Sequence, residues 1–212
     1  MDFTSKIILV IGASGGLGRE FSKQLALNGA RVIGTARTLE SAERIQNCEQ
    51  RILLDLMDPN SIQAVANYLV GNYRLDGIVN AAGVVAFGPA EMHDSSVLES
   101  LTQTNFLGPA KLFSLLKANL EQSGGFVLNV TGIVADTPLP NMAPYSASKS
   151  AIHGFLTAAA REWRRSGVRV HSSLLGHTET GLSQRPIFGT APAFPQGKSP
   201  EMAVSELLAS LN

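Results

Sequence analysis

A single cysteine, Cys48, occurs in the 212 residues. That excludes an internal disulfide framework and any multi-cysteine metal site. The four histidines, His93, His153, His171 and His177, show no HExxH or other ligand spacing, so no metal is expected. An excess of one charge is missing too: 17 basic residues balance 17 acidic ones. Without a basic run, nucleic acid is not the expected partner. Long apolar runs are also lacking. The longest near the N-terminus, Ile7 to Ile11, is far too short to span a bilayer and leads into a glycine-rich turn, not a cleavage pattern. What remains is a chain with 44% apolar and 16% charged residues. Its length suits one domain, 1–212, with a sizeable core. It reads as a soluble globular protein, cytoplasmic by default.

Apolar runs and helical patterns alternate along it. "KIILVIG" (6–12), "RVIGTA" (31–36), "RILLDL" (51–56), "GFVLNVT" (125–131) and "VRVHSSLL" (168–175) read as strands, and "GIVNAAG" (77–83) as a strand and turn. Helical spacing fills 16–30, 59–70, 95–121 (as two helices), 144–165 and 200–211. Strands separated by such helices mean βαβ units, hence a doubly wound, Rossmann-type α/β domain with a parallel sheet of six strands. One irregular stretch, 181–200, carries four prolines and three glycines. A loop this long in a compact domain is a lid over a substrate or is partly disordered.

Open α/β sheets bind ligands at the carboxyl ends of their strands. "IGASGGLG" lies at such an end, with its glycines spaced as Gly12, Gly16 and Gly18. This is neither G-x-G-x-x-G nor a Walker A loop. It still permits a sharp turn and close approach of backbone to a pyrophosphate on a helix N-terminus. Alone, it fits an empty βα turn as well. At the end of the second strand stands Thr35-Ala36-Arg37, with no acid for ribose hydroxyls and with a guanidinium that matches a 2′-phosphate. Ser14 adds a hydroxyl. NADP(H) is therefore expected over NAD(H), unless Arg37 is only a solvated charge.

Together these motifs resemble the classical short-chain dehydrogenase/reductase family over residues 6 to about 180. Gly12-xxx-Gly16-x-Gly18 is similar to its cofactor turn, Asp55 to its adenine-contacting acid, and "NAAG" (80–83) to its NNAG. Asn105 matches its catalytic asparagine, Tyr145-xxx-Lys149 its Y-x-x-x-K, and Gly176 and Thr180 its P-G-x-x-x-T. The resemblance implies cofactor contacts from Gly12, Ser14, Gly16, Leu17, Gly18, Arg37, Asp55, Leu56, Asn80, Ala81, Gly83, Tyr145, Lys149, Gly176 and Thr180. It implies hydride transfer between nicotinamide and a small carbonyl or alcohol substrate, with Tyr145 as acid/base and Asn105 anchoring a relay water. Tyr145 and Lys149 stand i and i+4, on one helix face. A nearby ammonium and an oxidised nicotinamide would lower the phenol from its usual ~10.

Three positions depart from the family pattern. Its serine, 13 positions before the tyrosine, is Gly132 here. The neighbouring Thr131 should point to the other face, and Thr178 is another possible hydroxyl. Loss of such a donor costs about 10²–10³ in turnover. Ile11 replaces a threonine and Leu175 a proline. No apolar run for a seventh strand follows the last helix, which puts a tetramer through that strand in doubt. A homodimer through the helices at about 102–121 and 145–163 is the expected assembly. Two alternatives stay open: a cofactor-holding sensor or scaffold without efficient turnover, and non-hydride chemistry such as dehydration or epimerisation on the same fold.

Overall fold

Runs rich in valine, isoleucine and leucine form six strands in the computed structural model, which describes residues 1–211; Asn212, the last residue of the expected domain, lies outside them. In chain order the elements are β1 (Ile7–Ile11), α1 (Gly16–Leu27), β2 (Arg31–Ala36), α2 (Leu39–Glu43), β3 (Gln50–Leu53) and α3 (Pro59–Asn72). Then come β4 (Gly77–Asn80), α4 (Ser95–Thr102), α5 (Gly108–Glu121), β5 (Phe126–Val130), α6 (Ala143–Trp163), β6 (Arg169–Ser173) and α7 (Pro200–Ala209). The strands are all parallel and ordered β3-β2-β1-β4-β5-β6. Direction of winding reverses between β1 and β4, and that reversal opens a crevice at their carboxyl ends.

The central strands β1, β4 and β5 are buried on both faces because helices cover both. Leu9, Ile11, Ile78 and Val127 pack with Phe113, Leu116, Ile152 and Leu156 of α5 and α6. Ile8, Val10, Val79 and Leu128 pack on the other side with Phe21 and Leu25 of α1 and Val204 and Leu207 of α7. Among the described residues no helix is long and apolar enough to cross a membrane.

The structure differs locally from the sequence expectations. Helix α2 was not expected; it is one short element held by a capping box in which Thr38 and Ser41 bond each other's backbone amides. The stretch 95–121 does form two helices, but a π-helical segment, Gln103–Leu107, joins α4 to α5. The strand and turn expected at 77–83 are both present: β4 ends at Asn80, whose side-chain oxygen accepts from the Ala82 amide and turns the chain. The 181–200 stretch is a strap tied at both ends. Phe87 N donates to Phe188 O at 3.0 Å and Ile187 N to Val85 O at 2.9 Å, while Lys198 pairs with Thr178.

Candidate active site

The glycine turn sits at the crevice. Gly12 has φ +76°, and a Cβ on Gly18 would lie 2.1 Å from the Gly12 carbonyl, so only glycine permits this coil. Thr35, not singled out from sequence, fastens the turn: its hydroxyl accepts from Gly12 N at 3.2 Å and its carbonyl from Ala13 N at 2.9 Å. Helix α1 follows Gly15 at its N-cap, with no side-chain cap and no acid in its first turn. Its leading amides therefore present partial positive charge to an anion. Thr180 crosses so near that a Cβ on Gly16 would meet its carbonyl at 2.6 Å. Leu17 is half-buried there, and Gly176 lies in the same post-β6 segment as Thr180. The uncapped helix end and the tight coil suit a dinucleotide pyrophosphate.

Other expected cofactor contacts border the same crevice. Ser14 is half-exposed and Arg37 exposed, and neither side chain makes a hydrogen bond among the described residues. Asp55 lies in the turn after β3, where its carboxylate accepts from Met57 N at 2.9 Å. Leu56 beside it is buried. Asn80 donates to Asn129 at 2.7 Å, and Ala81 N donates to the Ile11 carbonyl, tying the end of β4 to β1 and β5.

Tyr145 and Lys149 stand on one face of α6, 8% and 6% exposed. The Lys149 ammonium lies 5.9 Å from the Tyr145 ring centroid and donates to the Val130 carbonyl at 3.2 Å. Gly83 makes room for it: a Cβ there would stand 3.3 Å from Lys149 Nζ and 3.2 Å from Asn105 Oδ1. Asn105 joins this group from the π-helical segment. Its side chain accepts from Val84 N at 2.9 Å and donates to Val84 O and to Ser148 Oγ, each at 2.9 Å. Ser148, unnoticed in the sequence although it stands i+3 from Tyr145, links Asn105 to the Tyr145 carbonyl at 2.7 Å.

Burial sets both protonation states. It pushes Tyr145 up to about 12 and Lys149 down to about 8. The lowered phenol expected from sequence is therefore not found in the protein alone. Desolvation outweighs an ammonium that lies over the ring face and bonds elsewhere. At neutral pH Tyr145 holds its proton, which suits a proton donor.

Gly132 occupies the place 13 residues before Tyr145 with φ +91° and ψ 145°, a region nearly confined to glycine. Thr131 turns away as expected: fully buried, its hydroxyl bonds Ser172 Oγ at 2.6 Å and accepts from Asn129 Nδ2 at 2.8 Å. Thr178 directs its hydroxyl to the Gly176 carbonyl. Tyr145 belongs to an apolar cluster with Val85, Phe87, Val134 and Met142, against which Leu182, Phe188 and Phe194 of the strap pack.

Comparison with known proteins agrees with this geometry. The family model for short chain dehydrogenases matches residues 6–186. The 3-oxoacyl-[acyl-carrier-protein] reductase FabG of Escherichia coli is 28% identical over 190 residues, 87% of this chain and 78% of that one. D-threitol dehydrogenase of Mycolicibacterium smegmatis is 30% identical over 176 residues, 79% and 68% of the two chains. A short chain dehydrogenase from Burkholderia cenocepacia, solved in complex with NADP, superposes with a TM-score of 0.87 at 26% identity, covering 100% of this chain and 86% of its own. Fold, glycine turn and tyrosine–lysine pair thus converge with sequence similarity along most of the chain, and the protein belongs to the short-chain dehydrogenase family of oxidoreductases.

Proposed function

We propose that the protein is an NADP(H)-dependent oxidoreductase that interconverts a small carbonyl compound and its alcohol, with Tyr145 as the proton-transferring group in a site without a serine hydroxyl. The observation that carries this reading is the buried Tyr145–Lys149 pair beside Gly83 and Asn105, at the end of the crevice that begins at the uncapped α1. The relatives' names describe a reductase of a 3-oxoacyl group and a dehydrogenase of a polyol, both carbonyl–alcohol interconversions. They do not favour a sensor without turnover.

Gly12, Gly16 and Gly18 cradle the pyrophosphate, with Leu17 beside them, while Ser14 and Arg37 favour a 2′-phosphate. Asp55 and Leu56 flank the adenine, and Asn80, Ala81, Gly83, Gly176 and Thr180 line the nicotinamide end. Bound there, the nicotinamide supplies or accepts hydride. Tyr145 holds a proton at Oη and donates it to the carbonyl oxygen as hydride reaches the carbon; the reverse step returns the proton to Tyr145. Lys149 restores that proton and holds ribose hydroxyls. Asn105 acts by fixing the Val84 backbone and Ser148 around the lysine. One donor in place of two makes slow turnover the expectation, lower by about 10²–10³ than a two-donor site.

The test is loss of reduced-nicotinamide absorbance with a broad panel of carbonyls. Tyr145→Phe should abolish turnover while NADPH still binds. No turnover by the wild type, with NADPH bound at micromolar concentration, overturns the reading. We also infer a homodimer through the helices at about 102–121 and 145–163, which carry half-buried Phe106 and Phe155, their rings edge to face at 6.4 Å; light scattering on Phe155→Arg tests it.

A further inference from the structure

Beside the apolar wall that includes Tyr145, and in contact with it through Phe188, a buried imidazole has nothing to bind among the described residues. His93, between Met92 and the start of α4, is 8% exposed, and both its ring nitrogens are buried without a hydrogen-bond partner. A neutral imidazole carries one donor and one acceptor, and burying both unpaired is costly. Natural structures keep such groups rarely, and where they do a functional cause is the first one to seek.

What lies on His93 is an aromatic ring from the strap. The Phe188 ring centroid is 4.9 Å from that of His93, with the planes tilted by 49°. Gly88 borders both rings: a Cβ there would stand 3.4 Å from Phe188 Cε1 and 3.7 Å from His93 Cε1. Phe188 is delivered to this place by main-chain pairing with Phe87, whose own ring lies in the wall with Tyr145. The seat is shaped for a ring, and Phe188 fills it without satisfying the imidazole.

We propose that the substrate is an aromatic carbonyl compound bearing a ring hydroxyl. When the strap lifts, the substrate ring replaces Phe188 on His93, and its hydroxyl pairs with an imidazole nitrogen. A hydroxyl both donates and accepts, so it satisfies His93 in either tautomer. A charged substituent would pay heavily for desolvation among Val85, Phe87 and Phe188. A purely aliphatic substrate would leave both nitrogens unpaired. This inference rests on the reductase reading, since it names the substrate class for Tyr145.

The experiment is calorimetric titration of protein saturated with NADP⁺, where no hydride is available to reduce a ketone. The ligands are para-hydroxyacetophenone, acetophenone and cyclohexyl methyl ketone. The hydroxyl should tighten binding about 10-fold over acetophenone, and the cyclohexyl compound should bind most weakly. His93→Leu should bring the hydroxyl preference to near one. Phe188→Ala, which vacates the seat, should tighten both aryl ligands several-fold, and it decides the matter if His93→Leu does not fold. A hydroxyl without effect, a preference that survives His93→Leu, or weaker aryl binding by Phe188→Ala overturns the inference. His93-dependent binding without turnover of any carbonyl would instead overturn the reductase reading alone.

Discussion

The Lys149 ammonium donates to the Val130 carbonyl at 3.2 Å and lies over the Tyr145 ring, 5.9 Å from its centroid. Burial there pushes its pKa down to about 8, below its usual value of about 10.4. The folded protein therefore binds fewer protons than the unfolded chain between about pH 8 and 10.5, and stability rises with pH through that window. Below pH 8 the full cost of burying the charge remains. Lys149→Met should stabilise the free protein at pH 7 by about 2 kcal/mol, the pKa difference less one hydrogen bond. It should also abolish turnover. Denaturant unfolding at pH 7 and pH 10.5 checks this: the advantage should shrink at the higher pH, and an equal gain at both would refute the buried-charge account.

Gly132 carries the next prediction. A Cβ added there has space, its nearest neighbours being the Leu175 carbonyl and Val134 Cγ2 at 3.9 Å. The backbone at φ +91°, however, does not suit a side chain. Gly132→Ser should destabilise the protein by about 1–2 kcal/mol, and Gly132→Ala equally, since the cost lies in the backbone. Turnover of a simple ketone should not rise, because the hydroxyl is added to a backbone that must first rearrange. A Gly132→Ser protein that is as stable as wild type and turns over faster would show that the family's serine geometry is still accessible.

Asn105 should behave as a scaffold. Removing its side chain leaves the Val84 amide and carbonyl and the Ser148 hydroxyl short of a partner in a buried place. Asn105→Ala should cost about 2–4 kcal/mol of stability. Asn105→Asp should do no better, because it keeps the acceptor for Val84 N but turns a carboxylate on the Val84 carbonyl. Thermal melts and NADPH titration together test this. A large loss of turnover at unchanged melting temperature and cofactor affinity would return Asn105 to a direct role in proton relay.

The parts of this site that could be read in advance were those fixed by local spacing. Six strands, the glycine turn and the i, i+4 pair Tyr145–Lys149 all follow from patterns within a dozen residues. The family resemblance supplied their order. What could not be read were properties set by tertiary surroundings. The phenol goes up, not down, because α6 buries Tyr145 against Val134, Met142 and the strap, which periodicity does not reveal. The engagement of Asn105 depends on Val84 and Ser148, 21 and 43 residues away. His93 looked like any loop histidine until Phe188, 95 positions later by numbering, was found on its ring. The strap pairs with Val85 and Phe87 through backbone alone, so composition marked it only as irregular.

Cofactor preference rests on one exposed side chain. Arg37 follows β2 directly after Thr35 and Ala36, makes no hydrogen bond among the described residues, and faces no acid at the end of its own strand. A guanidinium so placed is available to a 2′-phosphate, and its contribution should be electrostatic and screened by salt. Wild-type affinity for NADPH should therefore fall with ionic strength more steeply than affinity for NADH. Arg37→Ala should lower the NADPH:NADH ratio of kcat/KM by about 10-fold or more, equivalent to one charge-assisted contact. Arg37→Asp should carry it further, since a carboxylate repels the phosphate and offers an acceptor to ribose hydroxyls. Steady-state kinetics with both cofactors at two salt concentrations decides the point: a wild-type preference for NADH, or a ratio indifferent to both substitutions, would remove Arg37 from the cofactor site.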